Sequence, residues 1–188
     1  MQNLVKISEK KFGVALDLRY ASSNNVCGQK LYTKPFAYLH QAAIEPLRQA
    51  IALAKDLDLR LKIWDSFRPI EVQQFMFDKF PSDDPSGGFV SNPGGGAIPH
   101  CRGVALDLTL VDASGKELEM GSDFDEFSDL AFHTCQKIST EAKRNRLLLL
   151  GIMTAAGFDF YSKEWWHYQL FKPREYPVIQ APKDLIAV

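Results

Sequence analysis

The chain has 188 residues, 46% hydrophobic and 24% charged, a composition that can bury a real core without covalent staples. A formal charge of -1 and an isoelectric point near 6.4 supply no field for polyanions, and the basic cluster Lys143, Arg144 and Arg146 is short and flanked by Glu141. Nucleic acid is therefore excluded as an expected partner.

Cys27, Cys101 and Cys135 form no C-x-x-C pair, which argues against a disulfide framework or a cysteine zinc ribbon and fits a reducing compartment. The N-terminus offers no signal-peptide core, and no stretch approaches the roughly 20 apolar residues that span a bilayer. One soluble, cytoplasmic domain over residues 1–188, with no membrane partner, is the expectation.

Over residues 34–55, Phe36, Leu39, Ala43, Leu47, Ala50 and Ala54 recur at helical spacing around Pro46. This predicts one kinked helix or two short ones. Residues 59–64 suit a strand, and Pro69 with Glu71 suits the first turn of a helix, so Arg68 falls at a strand-to-helix junction. Residues 81–99, PSDDPSGGFVSNPGGGAIP, hold five Gly and four Pro, too many for a regular element. A loop of that length predicts the lid or rim of a binding site.

GVALDLTLVD alternates, with Val104, Leu106, Leu108 and Leu110 on one face and Ala105, Asp107 and Thr109 on the other, the pattern of a half-buried strand. DASGK then makes a turn, and residues 117–120 are expected to return as a strand. Ser139 or Thr140 caps a helix that runs through RNRLLLLGIMTAA and stops at Gly157. Residues 158–171 are aromatic-rich and extended. Helices mixed with hairpins in this order predict an α+β fold with a mainly antiparallel sheet.

Of four histidines, His40 and His133 read as surface or hydrogen-bonded core imidazoles. His100 and His167 differ, because each has a carboxylate at short spacing: Asp107 in HCRGVALD and Glu164 in EWWH. Two imidazoles and one carboxylate would make a three-ligand zinc site with an open fourth position, and the second carboxylate could take a proton from water there. His100 and Asp107 differ in strand parity, and a bend at Gly103 would let both reach one ion; Glu164 and His167 by the same argument need a turn or bulge between them. The alternative on these residues alone is Asp107 capping a turn and His167 hydrogen-bonded in a core. Arg68, in WDSFRP, could hold a carboxylate or an oxyanion, or could simply pair with Asp65.

Taken together, WDSFRP, HCRGVALDLTL, MGSDFD and EWWHY resemble, in order and interval, the D-alanyl-D-alanine dipeptidases of the vancomycin-resistance type, zinc peptidases related to the Hedgehog and D,D-carboxypeptidase fold. The resemblance runs from about Tyr20 to Tyr168 and matches the zinc pattern H-x(6)-D followed by E-x-x-H. It implies that His100, Asp107 and His167 bind one zinc ion, that Glu164 is the general base and that Arg68 steadies the tetrahedral intermediate. It further implies that Asp125 and Tyr20 line a pocket for a small D,D-dipeptide, with Asp125 facing its ammonium. Ile98 and Cys101 depart from the Ser-x-His-Ser pattern common in these dipeptidases, which bears on substrate choice. Two other readings remain open: a D,D- or L,D-carboxypeptidase acting on peptidoglycan stem peptides, and a non-catalytic zinc-binding module. In EWWHYQL, the rings of Trp165, Trp166 and Tyr168 are expected to pack around the polar pair.

Overall fold

The computed structural model describes residues 3–81 and 88–188. Strand β1 (Leu4–Lys6) pairs antiparallel with β3 (Tyr38–His40) as a small sheet. A five-stranded sheet carries, side by side, β2 (Ala15–Leu16), β4 (Arg60–Asp65), β5 (Ala105–Val111), β7 (His167–Gln169) and β6 (Asp159–Phe160). Among the described residues only β2 and β4 run parallel, so the α+β architecture with a mainly antiparallel sheet is as expected. The helices are α1 (Glu9–Phe12), α2 (Ile44–Lys55), α3 (Ile70–Lys79) and α4 (Thr140–Ala155).

The central strand β5 is buried along all seven residues, not on one face only. Leu106, Leu108 and Leu110 join the apolar core to which α2 gives Leu47, Ala50 and Ala54 and α4 gives Leu149, Ile152 and Met153. The polar face of β5 is covered as well: Phe124 packs on Trp64 and Trp166, and Trp165 packs on Trp64. Alternation in sequence therefore marks two chemically different buried faces.

The register between β4 and β5 shifts at Trp64, so that Asp65 sits opposite Asp107. On its other side Asp107 sits opposite His167 of β7. Directly opposed residues share a face of a sheet. The bulge thus brings Asp65 into one transverse row with Asp107 and His167; in unbroken register Trp64 would hold that place.

Several elements differ from the sequence reading. The 34–55 helix begins only at Ile44, with Pro46 in its first turn, where the missing N–H costs nothing. Before it, Tyr38–His40 is a strand, because β1 supplies hydrogen-bonding partners that local periodicity cannot reveal. His40 closes that strand, and its Nδ1 accepts from the Ala42 N–H. The expected strand over 117–120 is reduced to one bridge, Val111 with Glu117. The 158–171 segment is a hairpin, with a turn between β6 and β7 in which the His167 N–H donates to the Glu164 carbonyl at 3.2 Å. Within 81–99, residues 82–87 lie outside the described residues.

Other details follow the expected chemistry. Ser139 caps α4 by accepting from the Ala142 N–H, and Gly157 follows the helix at φ 98°. Arg146 of α4 is buried, and its guanidinium donates to the carbonyls of Met120, Leu130 and Phe132 while lying over the Trp165 ring. It thereby ties the 120–132 segment and the Trp165 turn to one helix. Gly103 takes φ 67° at the end of the short 3-10 turn Pro99–Arg102, and a Cβ there would come within 2.6 Å of Leu4 Cδ2. The bend demanded by the His100 and Asp107 spacing is at this glycine.

Gly103→Ala therefore puts a side chain on a left-handed backbone and makes the Leu4 methyl give way, and is expected to destabilise by about 1–2 kcal/mol in urea unfolding. A second prediction concerns His133, whose ring packs on Phe160 and whose backbone N–H donates to the Ser162 carbonyl. Burial, with Arg146 adding to it, pushes its pKa down to about 4. The unfolded chain then binds the proton first, so stability is full above the ordinary histidine pKa and drains away as pH falls from about 6.5 to 4, by at most on the order of 3 kcal/mol. His133→Gln should lose visibly less stability than the parent across that window in pH-dependent urea melts.

Candidate active site

Three donors converge where β5, β7 and the Pro99–Arg102 turn meet. His100 Nε2 lies 3.2 Å from His167 Nδ1 and 3.3 Å from Asp107 Oδ2, and His167 Nδ1 lies 3.1 Å from Asp107 Oδ1. All three residues are buried. Donors about 2.0–2.1 Å from one tetrahedral ion stand about 3.3 Å from each other, so this cluster has the dimensions of a metal site.

Hydrogen bonds on the outer edges of the two rings decide which nitrogens face inward. His100 Nδ1 is 2.6 Å from the Ser66 carbonyl, which only accepts, so Nδ1 carries the hydrogen and Nε2 presents its lone pair. His167 Nε2 is 3.1 Å from Gln169 Oε1, which likewise leaves Nδ1 with a lone pair. Two imidazole lone pairs and a carboxylate then face one another, an arrangement that a bound cation turns from repulsive to favourable. The two nitrogens and one oxygen fit a divalent metal ion.

Arg68, at the junction of β4 and α3, is held on two edges. Its Nε and Nη2 reach Asp65 Oδ2 at 3.0 and 2.9 Å, Nη2 also reaches Asp107 Oδ2 at 3.3 Å, and Nη1 donates to Gln73 Oε1 at 3.0 Å. The ion pair with Asp65 is real, and it coexists with a place beside the His100, Asp107 and His167 cluster. Asp65 in turn accepts from the Tyr32 hydroxyl at 2.7 Å.

Glu164 precedes β7 in the turn, and its Oε2 lies 3.9 Å from His167 Nδ1. Tyr20 and Asp125 meet across 105 positions of sequence, the Tyr20 hydroxyl lying 3.0 and 3.2 Å from the two carboxylate oxygens. Asp125 holds φ 59°, a left-handed backbone that aspartate tolerates better than most residues. Every residue singled out from sequence (Tyr20, Arg68, His100, Asp107, Asp125, Glu164 and His167) lines one cavity of about 200 Å³.

Burial and charge act against each other throughout this cavity. Burial pushes the Asp107 carboxyl up, but His100 and His167 outweigh it and hold the group well below the usual carboxylate range. Glu164 goes the other way: burial, reinforced by Asp107 and opposed by His167, raises it to about 7. A divalent cation beside His167 acts to lower it. Burial and Asp107 likewise raise Asp125 well above its ordinary value. Arg68 is the single guanidinium or ammonium among the described lining residues, facing Asp107, Asp125 and Glu164 inside the cavity and Asp65 behind it.

Trp166 lines the cavity, whereas Trp165 packs away from it on Trp64 and donates to Ser122 Oγ. Ile98 lines it too, at φ 43°, which is rare for a β-branched residue; its carbonyl accepts from the Cys101 N–H and opens the turn that carries His100. Cys101 is fully buried, and burial pushes its thiol up to about 12, the state of an inert packing residue.

The rim over 88–98 is more ordered than its composition implied. Gly94 and Gly96 donate to Asn92, Arg174 holds the Gly95 carbonyl and Arg102 holds the Ala97 carbonyl. Sequence reasoning passed over Gln73, Gln169 and Tyr32. Their role shows only in the partners they meet across the fold, and no local pattern marks them.

No helix among the described residues is long and apolar enough to cross a membrane. Residues 1–180 match the family model described as D-ala-D-ala dipeptidase. The D-alanyl-D-alanine dipeptidase of Escherichia coli is 37% identical over 164 residues, 87% of this chain and 82% of that protein. Its namesake from Enterococcus faecium is 32% identical over 191 residues, 91% and 92% of the two chains, and that of Enterococcus faecalis is 30% identical over 184 residues, 87% and 89%. With the match spanning nearly its whole length, the chain belongs to the D-ala-D-ala dipeptidase family of metallopeptidases.

Proposed function

We propose that this protein hydrolyses D-alanyl-D-alanine, or a close D,D-dipeptide, to free amino acids, using one zinc ion held by His100, Asp107 and His167. The observation that carries the reading is the convergence of those three donors, Glu164 and Arg68 on one small buried cavity. Two nitrogens and one carboxylate oxygen with space for a further ligand suit zinc. When bound, zinc supplies Lewis acidity, lowering the pKa of water toward ~7 and polarising a carbonyl oxygen.

The chain's own residues do the rest. Glu164, buried beside His167, accepts the proton of the attacking water, holds it on its carboxylate and gives it to the leaving amine nitrogen. Among the described residues the Arg68 guanidinium donates from Nε to Asp65, from Nη2 to Asp107 and from Nη1 to Gln73, and Nη2 also lies 2.9 Å from Asp65. The second N–H of Nη1 donates to the oxygen on which negative charge develops. Asp125, steadied by Tyr20, receives the ammonium of the dipeptide and sets which amide lies over Glu164. A cavity of about 200 Å³ with a carboxylate for a free amino terminus favours a dipeptide over an acylated stem peptide.

A panel of all D/L alanine dipeptides beside an acyl-D-Ala-D-Ala peptide tests the substrate reading. Cleavage of free D-Ala-D-Ala is expected, and cleavage of the blocked peptide alone would replace the dipeptidase by a carboxypeptidase. Metal analysis should find one zinc per chain. Glu164→Gln should retain that zinc and lose about 10²–10⁴-fold in kcat, whereas full activity would remove Glu164 from the mechanism.

A further inference from the structure

Gln73 sits in the first turns of α3 with a side chain that is 2% exposed, although a primary amide is costly to bury unless both of its ends are bonded. Both ends are bonded, and to very different things. Oε1 accepts from Arg68 Nη1 at 3.0 Å, and Nε2 donates to the Ser91 carbonyl at 2.9 Å. A guanidinium only donates and a carbonyl only accepts, so the amide has one workable orientation, and neither Glu nor Leu can satisfy both partners.

At one end of this link, Asp65 grips the Nε and Nη2 edge of the guanidinium while Gln73 grips Nη1. Two edges fixed by two partners hold the plane of Arg68, and leave one Nη1 hydrogen with a defined direction. At the other end, Ser91 belongs to the rim whose Phe89, Ala97 and Ile98 line the cavity. That rim is a tight turn on Asn92: the Gly96 N–H donates to the Asn92 carbonyl at 2.7 Å, and a Cβ at Gly96 would come within 2.6 Å of the same oxygen. Arg174 and Arg102 hold the rim at Gly95 and Ala97. Gln73 holds it from the cavity side, through the side chain that also holds Arg68.

We propose that Gln73 is a positioning residue that sets Arg68 and the pocket rim as one unit, so that rim placement and guanidinium orientation change together. The proposal rests on the reading of Arg68 as a group acting on the substrate of a dipeptidase. It places a side chain with no reacting atom of its own in control of both turnover and substrate fit.

The test compares Gln73→Leu and Gln73→Glu in the full-length zinc-loaded protein, each alone and in the Arg68→Lys background. Gln73→Leu removes both bonds, and should lower kcat for D-Ala-D-Ala by about 10–100-fold while raising KM. Gln73→Glu keeps an acceptor for Nη1 but turns an oxygen toward the Ser91 carbonyl. It should lose less kcat than Gln73→Leu and raise KM at least as much. With Arg68→Lys there is no Nη1 to orient, so adding Gln73→Leu should lower kcat by no more than about threefold further. Equal losses in the two backgrounds would overturn the link to Arg68.

Hydrogen exchange reads the rim without any turnover. Both Gln73 variants should speed amide exchange over residues 88–98 and leave β5 unchanged, and unaltered exchange over 88–98 would overturn the tether. Should the parent protein fail to cleave D-Ala-D-Ala, the dipeptidase reading falls by itself, while exchange in the two variants still decides whether Gln73 holds the rim.

Discussion

The site depends on one row of the sheet. Asp65, Asp107 and His167 stand side by side across β4, β5 and β7, buried and on a common face, and everything else is arranged around them. Adjacent buried carboxylates repel strongly in a poorly screened interior: burial and Asp107 push Asp65 up, and positive charge beside the row favours its ionised form. Arg68 supplies part, bridging Asp65 and Asp107. Glu164 and Asp125 add two further carboxylates to the same cavity. A divalent ion at the His-Asp-His cluster and an ammonium at Asp125 would balance what a single guanidinium cannot.

The inward lone pairs follow from bonds on the far side of each ring. A backbone carbonyl aims His100 and a side-chain amide aims His167, so one ring is set by the path of the chain and the other by a replaceable residue. The turn that carries His100 is expensive locally. It begins at Ile98 and ends at Gly103, both left-handed, and for Ile98 that conformation costs on the order of 1–3 kcal/mol. Such strain persists only where surrounding contacts impose it. Here the backbone N–H of Arg68 donating to the His100 carbonyl, and the backbone N–H of His40 donating to the Gly103 carbonyl, supply them.

What the sequence revealed and what it concealed divide along the range of the interactions. The α4 cap and stop, the β4 and β5 segments, the bend at Gly103 and the turn between Glu164 and His167 were legible because each is decided within a few residues. The spacing of His100 to Asp107 and of Glu164 to His167 marked two local polar pairs, while their union at one site rested on the resemblance of four separated motifs. The β1 and β3 pairing was not legible, since periodicity over 34–55 imitates a helix and the competing partner lies more than 30 residues away. The bulge at Trp64 has no local mark at all, although without it Asp65 would not face Asp107. Gln73 and Gln169 look like any polar residue until the fold gives one a guanidinium and the other an imidazole.

The cavity is also divided by the kind of backbone that carries each wall. Asp107 and His167 stand on paired strands, Arg68 on a strand-helix junction and Glu164 on a turn closed by backbone hydrogen bonds, whereas Asp125 and the rim residues stand on segments held by long side chains reaching to carbonyls. Arg146 pins the 120–132 segment from α4, and Arg102, Arg174 and Gln73 pin the rim. Paired strands resist displacement because every backbone bond must shift together, while a carbonyl held by one guanidinium can be re-aimed by changing one residue. Substitutions such as Ile98 can therefore reshape the pocket wall, and with it the dipeptides admitted, while the row of Asp65, Asp107 and His167 keeps its geometry. Gln73 is where the two regimes meet, since it belongs to a helix, touches the fixed guanidinium and carries the adjustable rim.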